Sequence, residues 1–153
     1  MSNYLDTGGR GGIAGWVLST DHKRIGILYL ATMTGLFFVA VVIGVLMRVE
    51  QLVLDPPLFA PQVYNAFFTV HGVIMIFMFV LPGLGAVFGN FFLPIMIGAR
   101  DVSFPRLNLM SWYAFVAGTV IVFVSLFTGD GAPDTGWTFY VPFSVRTGTN
   151  VTL

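Results

Sequence analysis

IGILYLATMTGLFFVAVVIGVLM, residues 25–47, is a run of 23 residues without a single charge. At about 1.5 Å of rise per residue, such a helix crosses the ~30 Å hydrocarbon core of a bilayer. A second charge-free run extends from Ala66 to Gly98, interrupted by Pro82 and Pro94, and a third from Leu107 to Phe127. The second would reach about 50 Å as an ideal helix, so it must tilt, kink or project into an aqueous phase. The pattern predicts an all-α integral membrane fold with three transmembrane helices. It divides the chain into a tail at 1–24, a three-helix segment at 25–127 and an outer loop at 128–153.

Composition agrees. Of 153 residues, 56% are apolar and 9% charged, with mean hydropathy +0.87; a soluble domain carries about 25% charged residues. Seven Lys+Arg balance seven Asp+Glu, which leaves no basic excess for nucleic acid. The absence of cysteine excludes a disulfide framework, a thiolate zinc site, an iron–sulfur cluster and a Cys nucleophile. Asp6, Arg10, Asp21, Lys23 and Arg24 break up the first 24 residues, so these are expected to be a soluble tail and not a signal peptide. Thr20 or Asp21 is placed to cap the first span.

Orientation follows from the basic residues. Arg10, Lys23 and Arg24 precede the first span, and Arg100 and Arg106 lie in the second connection; only Arg48 and Arg146 fall on the other side. Five against two predicts a cytoplasmic N-terminus and 99–106 loop, or the equivalent matrix face of an organelle. The outer segments are rich in turn formers: Asp55-Pro56-Pro57, Ala60-Pro61 and Gly129-Asp130-Gly131-Ala132-Pro133-Asp134.

Polar groups at membrane depth need a partner or a function. His71 is the sixth residue of the second run, beside Phe67, Phe68 and Gly72. A neutral imidazole there is either a ligand for iron, copper or zinc or a side chain hydrogen-bonded to a neighbouring helix. Arg48 closes the first span, either snorkelling to the interface or, at a depth similar to His71, meeting a carbonyl or carboxylate of a His-ligated macrocycle. Toward the inner side lie Asn90, Asp101 and Asn108. A carboxylate backed by water-holding amides suits the mouth of a proton path, whereas a solvated charge paired with Arg100 or Arg106 is the plainer alternative. Gly72, Gly83, Gly85 and Gly89 would let a helix or a flat ring approach closely, with Gly85-xxx-Gly89 at small-xxx-small spacing. No phosphate loop, dinucleotide fingerprint or nucleophile elbow is present.

Several of these strings, in order, resemble subunit I of the haem–copper oxygen reductases, its aa3-type branch. Thr20-Asp21-His22-Lys23-Arg24-Ile25-Gly26 and Met47-Arg48-Val49-Glu50 resemble the start and end of that family's first helix. Tyr64-Asn65-Ala66-Phe67-Phe68-Thr69-Val70-His71-Gly72 resembles its second-helix motif. Gly89-Asn90-Phe91-Phe92-Leu93-Pro94, Ile97 to Asn108 and Gly136-Trp137-Thr138-Phe139-Tyr140 continue the likeness, which covers residues 17–153.

The resemblance implies a role for each matching residue. His71 would be one of two axial ligands of a low-spin haem A, and Arg48 would hydrogen-bond its formyl group. Tyr64 and Trp137 would lie near haem propionates. Asp101 would open the D proton pathway, with Asn90, Asn108 and Tyr29 above it. Glu50 would help to bind a structural Ca2+ or Na+. The implied whole is a proton-pumping terminal oxidase with a twelve-helix core, transferring electrons from cytochrome c to O2. Its partners would be oxidase subunits II and III, and it would reside in a bacterial inner membrane, with the mitochondrial inner membrane as the alternative. Where the family's quinol-oxidising branch places hydrogen-bonding residues, this sequence has Val39, Ile43, Val63 and Ala66, which favours cytochrome c as donor. The Asp101 set argues against nitric oxide reductases, which lack this pathway.

The second low-spin ligand, the high-spin haem ligand, the copper B ligands and the end of the D pathway have no match in these 153 residues. The expectation is therefore an N-terminal piece of the catalytic subunit that works with the remaining subunit I helices. The alternative is a cofactor-free membrane scaffold or assembly remnant.

Overall fold

The computed structural model describes residues 12–53, 57–127, 132–133, 135–142 and 145. Asp6, Arg10, Asp55-Pro56, Gly129-Asp130-Gly131, Asp134 and Arg146 lie outside the described residues. Among the described residues every regular element is helical. A short helix α1 (Ile13–Val17) precedes α2 (His22–Glu50). Then α3 (Pro61–Val73) continues through two π-helical stretches, Ile74–Val80 and Gly83–Phe88, into α4 (Gly89–Ile97), and α5 (Pro105–Ser125) follows. Three helices are long and apolar enough to cross a membrane: His22–Glu50, Pro61–Met96 and Pro105–Ser125.

Local chemistry sets the ends. Asp21 caps α2, its Oδ1 accepting the Lys23 N–H at 2.9 Å, so of the two candidate caps it is Asp21 that serves. Pro61 and Pro105 occupy first-turn positions, where a missing N–H costs nothing. The residue before Pro61, Ala60, is extended (φ −60, ψ 146) as the proline ring requires. At the end of α4, Gly98 turns left-handed (φ 69), with Ala99 N–H on Pro94 O at 2.9 Å and Gly98 N–H on Ile95 O at 3.3 Å. That closure satisfies two orphan carbonyls and starts the 98–104 connection.

Pro82 does not break the second span. In a regular α-helix it would leave the Met78 carbonyl without an N–H and its ring would collide with that carbonyl; π-helical turns lie on both sides of it. The 36-residue span thus runs through the proline.

Two compact units emerge, Met1–Met33 with Leu81–Ala117 and Thr34–Val80 with Gly118–Leu153. On α2 the buried residues Ile25, Tyr29, Met33, Leu36 and Ala40 recur every three or four positions, one stripe of a helix. In the first unit Gly26 faces the Phe91 ring, where an added Cβ would lie 3.1 Å from it. Tyr29 packs on Phe115 with ring centroids 5.5 Å apart. Tyr113 OH donates to Val17 O at 2.6 Å, tying α1 to α5. In the second unit Phe37 meets Phe79 at 4.7 Å, and Phe59 meets Phe67 at 5.3 Å. The opposite faces carry exposed Phe38, Val42, Phe68, Phe92, Ile121 and Val124, as expected of helices surrounded by lipid or further helices.

Gly98 tests the turn that carries the 98–104 connection. Among the described residues nothing lies within 4 Å of a Cβ added there, so Gly98→Ala acts through the positive φ. The substitution should destabilise the turn by about 1 kcal/mol, read as about fivefold faster amide exchange at Ala99. Gly98→Asn should be milder, because Asn tolerates that conformation.

Candidate haem-side and proton-side sites

The sequence-derived site residues separate by unit. Asp101, Asn90, Asn108 and Tyr29 belong to the first, and His71, Arg48, Tyr64, Trp137 and Glu50 to the second.

In the second unit, His71 sits in the last turn of α3, and its Nδ1 bonds to the carbonyl oxygen of Ala40 at 2.9 Å. A carbonyl can only accept, so Nδ1 carries the proton, and in the neutral ring Nε2 holds the lone pair. That is the tautomer of a His that binds metal through Nε2 while a backbone carbonyl orients it. Gly44 makes the approach feasible: a Cβ there would stand 3.1 Å from His71 Cε1. Sequence reasoning found His71 but missed Gly44, although it stands one helical turn after Ala40 and on the same face.

Among the described residues Arg48 reaches neither His71 nor a carboxylate. Its Nη1 donates to Gln51 Oε1 at 2.8 Å, and Gln51 Nε2 donates to Tyr64 OH at 2.8 Å. Gln51, unremarked in the sequence, thereby joins the two residues expected around one macrocycle. Glu50 Oε2 accepts the backbone N–H groups of Leu58 and Phe59 at 3.1 and 3.2 Å, so the carboxylate folds the 57–59 turn back onto α2. No group of three or more His, Cys, Asp or Glu gathers anywhere among the described residues. Trp137 rests on Gly72 and meets Phe77 edge-on at 5.8 Å.

In the first unit, Asp101 Oδ1 accepts His22 Nδ1 at 2.8 Å and the Val102 N–H at 2.7 Å. The side-chain partner of the carboxylate is this histidine, not Arg100 or Arg106. His22 is only 5% exposed; as one of two histidines in the chain it was open to notice. Asn90 and Asn108 pair through their amides, Asn108 Nδ2 to Asn90 Oδ1 at 2.5 Å and Asn90 Nδ2 to Asn108 Oδ1 at 3.3 Å. Asn90 Nδ2 also donates to Ala86 O at 2.6 Å. Tyr29 OH and Ser111 Oγ are 2.9 Å apart, and Ser111 Oγ donates to Asn108 O at 2.6 Å. Ser111, one turn beyond Asn108, was missed. Asn90, Asn108, Tyr29 and Ser111 border one open cleft of about 660 Å³, which Val102, the neighbour of Asp101, also lines. Gly85 and Gly89 line it too, with nothing among the described residues within 4 Å of an added Cβ, so the small-xxx-small pair faces the cleft.

Comparison with known proteins gives the architecture its context. The sequence pattern of the family described as Cytochrome C and Quinol oxidase polypeptide I matches residues 24–153. A cytochrome c oxidase subunit 1 of Synechocystis is 41% identical over 128 residues, covering 84% of this chain and 23% of the relative. One from Thermostichus vulcanus is 43% identical over 135 residues, covering 88% and 24%. A haem–copper oxidase subunit I+III of Aeropyrum pernix is 38% identical over 133 residues, covering 86% and 16%. The chain thus spans less than a quarter of the length of these relatives. With a match over nearly its whole length, it belongs to the cytochrome c and quinol oxidase polypeptide I family, the subunit I family of the haem–copper oxidases.

Proposed function

We propose that this chain contributes one axial ligand of a low-spin haem A and the mouth of a proton path to a proton-pumping cytochrome c oxidase. The observation that carries the reading is the His71 Nδ1–Ala40 O bond, which leaves Nε2 as a lone-pair donor on a fixed ring. When bound, a low-spin haem supplies one-electron transfer between the donor and the oxygen-reducing centre. His71 would hold the iron through Nε2, with the Ala40 carbonyl fixing the ring and raising its basicity. Arg48, held by Gln51, which also binds Tyr64, would offer its remaining N–H groups to a formyl oxygen, and Tyr64 and Trp137 would border the propionates. The second axial ligand, the high-spin haem and copper B fall to the remaining subunit I helices, in the same polypeptide or a partner chain. Subunits II and III complete the complex.

On the proton side, Asp101 takes protons from the inner aqueous phase, where His22 and the Val102 N–H hold its carboxylate in place. Water in the cleft carries them past the Asn90–Asn108 pair toward Ser111 and Tyr29. The excess of basic residues on that side supports a cytoplasmic orientation in a bacterial inner membrane. Apolar side chains at Val39, Ile43, Val63 and Ala66 support cytochrome c over quinol as donor. Glu50 has Oε1 left for a Ca2+ or Na+ ion, which backbone carbonyls would have to complete.

A reduced-minus-oxidised spectrum of the complex, pulled from membranes through a tag on this chain, should show low-spin haem A bands. His71→Ala should abolish them; bands that survive it would overturn the ligand assignment. A wild-type complex without haem would favour the cofactor-free scaffold.

Asp101→Asn should leave those bands intact and slow proton uptake by at least tenfold, measured with a pH dye in vesicles, since the carboxylate that accepts protons is gone. Unchanged uptake would remove Asp101 from the path.

Removal of Ca2+ by a chelator together with replacement of Na+ by a bulky organic cation should lower the melting temperature of the wild-type complex and leave that of Glu50→Gln unmoved. An equal response in both would exclude Glu50 as a ligand.

A further inference from the structure

The segment that carries Trp137 is fastened to α3 by a buried hydroxyl. Thr69, two residues before His71, is 2% exposed. Its Oγ1 donates to the Asn65 carbonyl at 2.9 Å and accepts the buried Gly136 N–H at 2.9 Å. Gly136 adopts φ 76, with its Cα face against the Phe68 ring, where an added Cβ would lie 3.3 Å away. One residue on, the Trp137 indole lies on the bare backbone of Gly72, where an added Cβ would come within 2.6 Å of Cδ1. Phe77 supports the indole from the side. Thr135 is 8% exposed and donates to the Gly136 carbonyl at 3.1 Å. Thr69 and Gly72 flank His71 in sequence, so one stretch of α3 presents both the imidazole and the seat of the indole.

We infer that Thr69 and Gly72 form a socket that sets the position of Trp137, with Thr69 as a positioning residue for the haem-side site; the functional half of this inference rests on the haem reading above. The hydroxyl is needed because the Gly136 N–H is buried and would otherwise have no acceptor. Serine can replace it, whereas valine, of the same shape, cannot. Gly72 is needed because the ring lies where any side chain would begin.

No cysteine lies among these 153 residues, so a thiol placed here has a unique position within them. Thr135→Cys places a thiol in the buried part of the segment, and maleimide labelling at that position, read on the peptide that carries it in the purified complex, reports how often the segment lifts. In that background Thr69→Val should raise the labelling rate about tenfold, the loss of one buried hydrogen bond. Gly72→Ala should raise it at least as much, and Thr69→Ser should stay within twofold of the parent. The midpoint potential of the low-spin haem, measured without the Cys substitution, should shift in Thr69→Val and Gly72→Ala and return in Thr69→Ser.

Labelling that is unchanged in both Thr69→Val and Gly72→Ala overturns the socket. Faster labelling with an unmoved potential overturns the positioning role and leaves a structural fastening only. A wild-type complex that lacks haem defeats the haem reading and with it the positioning role, while labelling still decides the socket.

Discussion

A hydrocarbon core offers no water to an imidazole, an amide or a guanidinium, so each polar group within it must find its hydrogen bonds in the protein. This constraint organises the whole chain. His71 binds a main-chain carbonyl, Asn90 and Asn108 bind each other, and Tyr29 binds Ser111. Thr32, Thr69 and Ser125 turn back to carbonyls of their own helices at 2.8, 2.9 and 2.7 Å. The apolar majority meets the constraint by helix formation alone. The polar minority meets it in a few places, and the candidate sites are among them.

For His71 the Ala40 carbonyl does more than satisfy a buried donor. Had the acceptor been a hydroxyl or an amide, the tautomer would have stayed open, because those groups both donate and accept. A carbonyl decides it. The Ala40 oxygen can serve because a carbonyl has two lone pairs and a helix uses one of them. The ring can reach it because Gly44, one turn along, presents no side chain. Orientation, tautomer and access thus come from two residues of α2 that carry no functional group of their own.

Much of this was legible in the sequence, and the limits have physical causes. Three charge-free runs gave three spans, and each of them is helical in the structure. The boundaries moved outward at the N-terminal ends because Asp21, Pro61 and Pro105 set the first turns, which hydropathy does not see. His71 and Asp101 stood out because an ionisable group in or beside an apolar run is rare. Their partners did not. Ala40 lies 31 residues from His71 and His22 lies 79 from Asp101, and single-sequence reading has no signal for contacts at such separations. Arg100 and Arg106 were the expected companions of Asp101 because they are near in sequence; His22, already carried on the first turn of α2, is the one that meets it.

The glycines of the spans fall into two kinds. Gly85 and Gly89 have the four-residue interval of close helix pairs and, among the described residues, border an open cleft. Gly26, Gly44 and Gly72 form no such series, and each lies under a ring: Phe91, His71 and Trp137. A helix–helix contact needs a stripe of small residues, because two cylinders touch along a line. A flat ring needs one bare position, because its edge or face meets the backbone at a point. Gly26, Gly44 and Gly72 thus mark where aromatic and imidazole groups press against a span, whereas Gly35 and Gly118 have no described neighbour within 4 Å, and a search for repeats does not separate the two kinds. In this chain two of those three points, Gly44 and Gly72, lie under His71 and Trp137, residues expected to surround the haem, so the positions least visible to pattern are among those that shape the site.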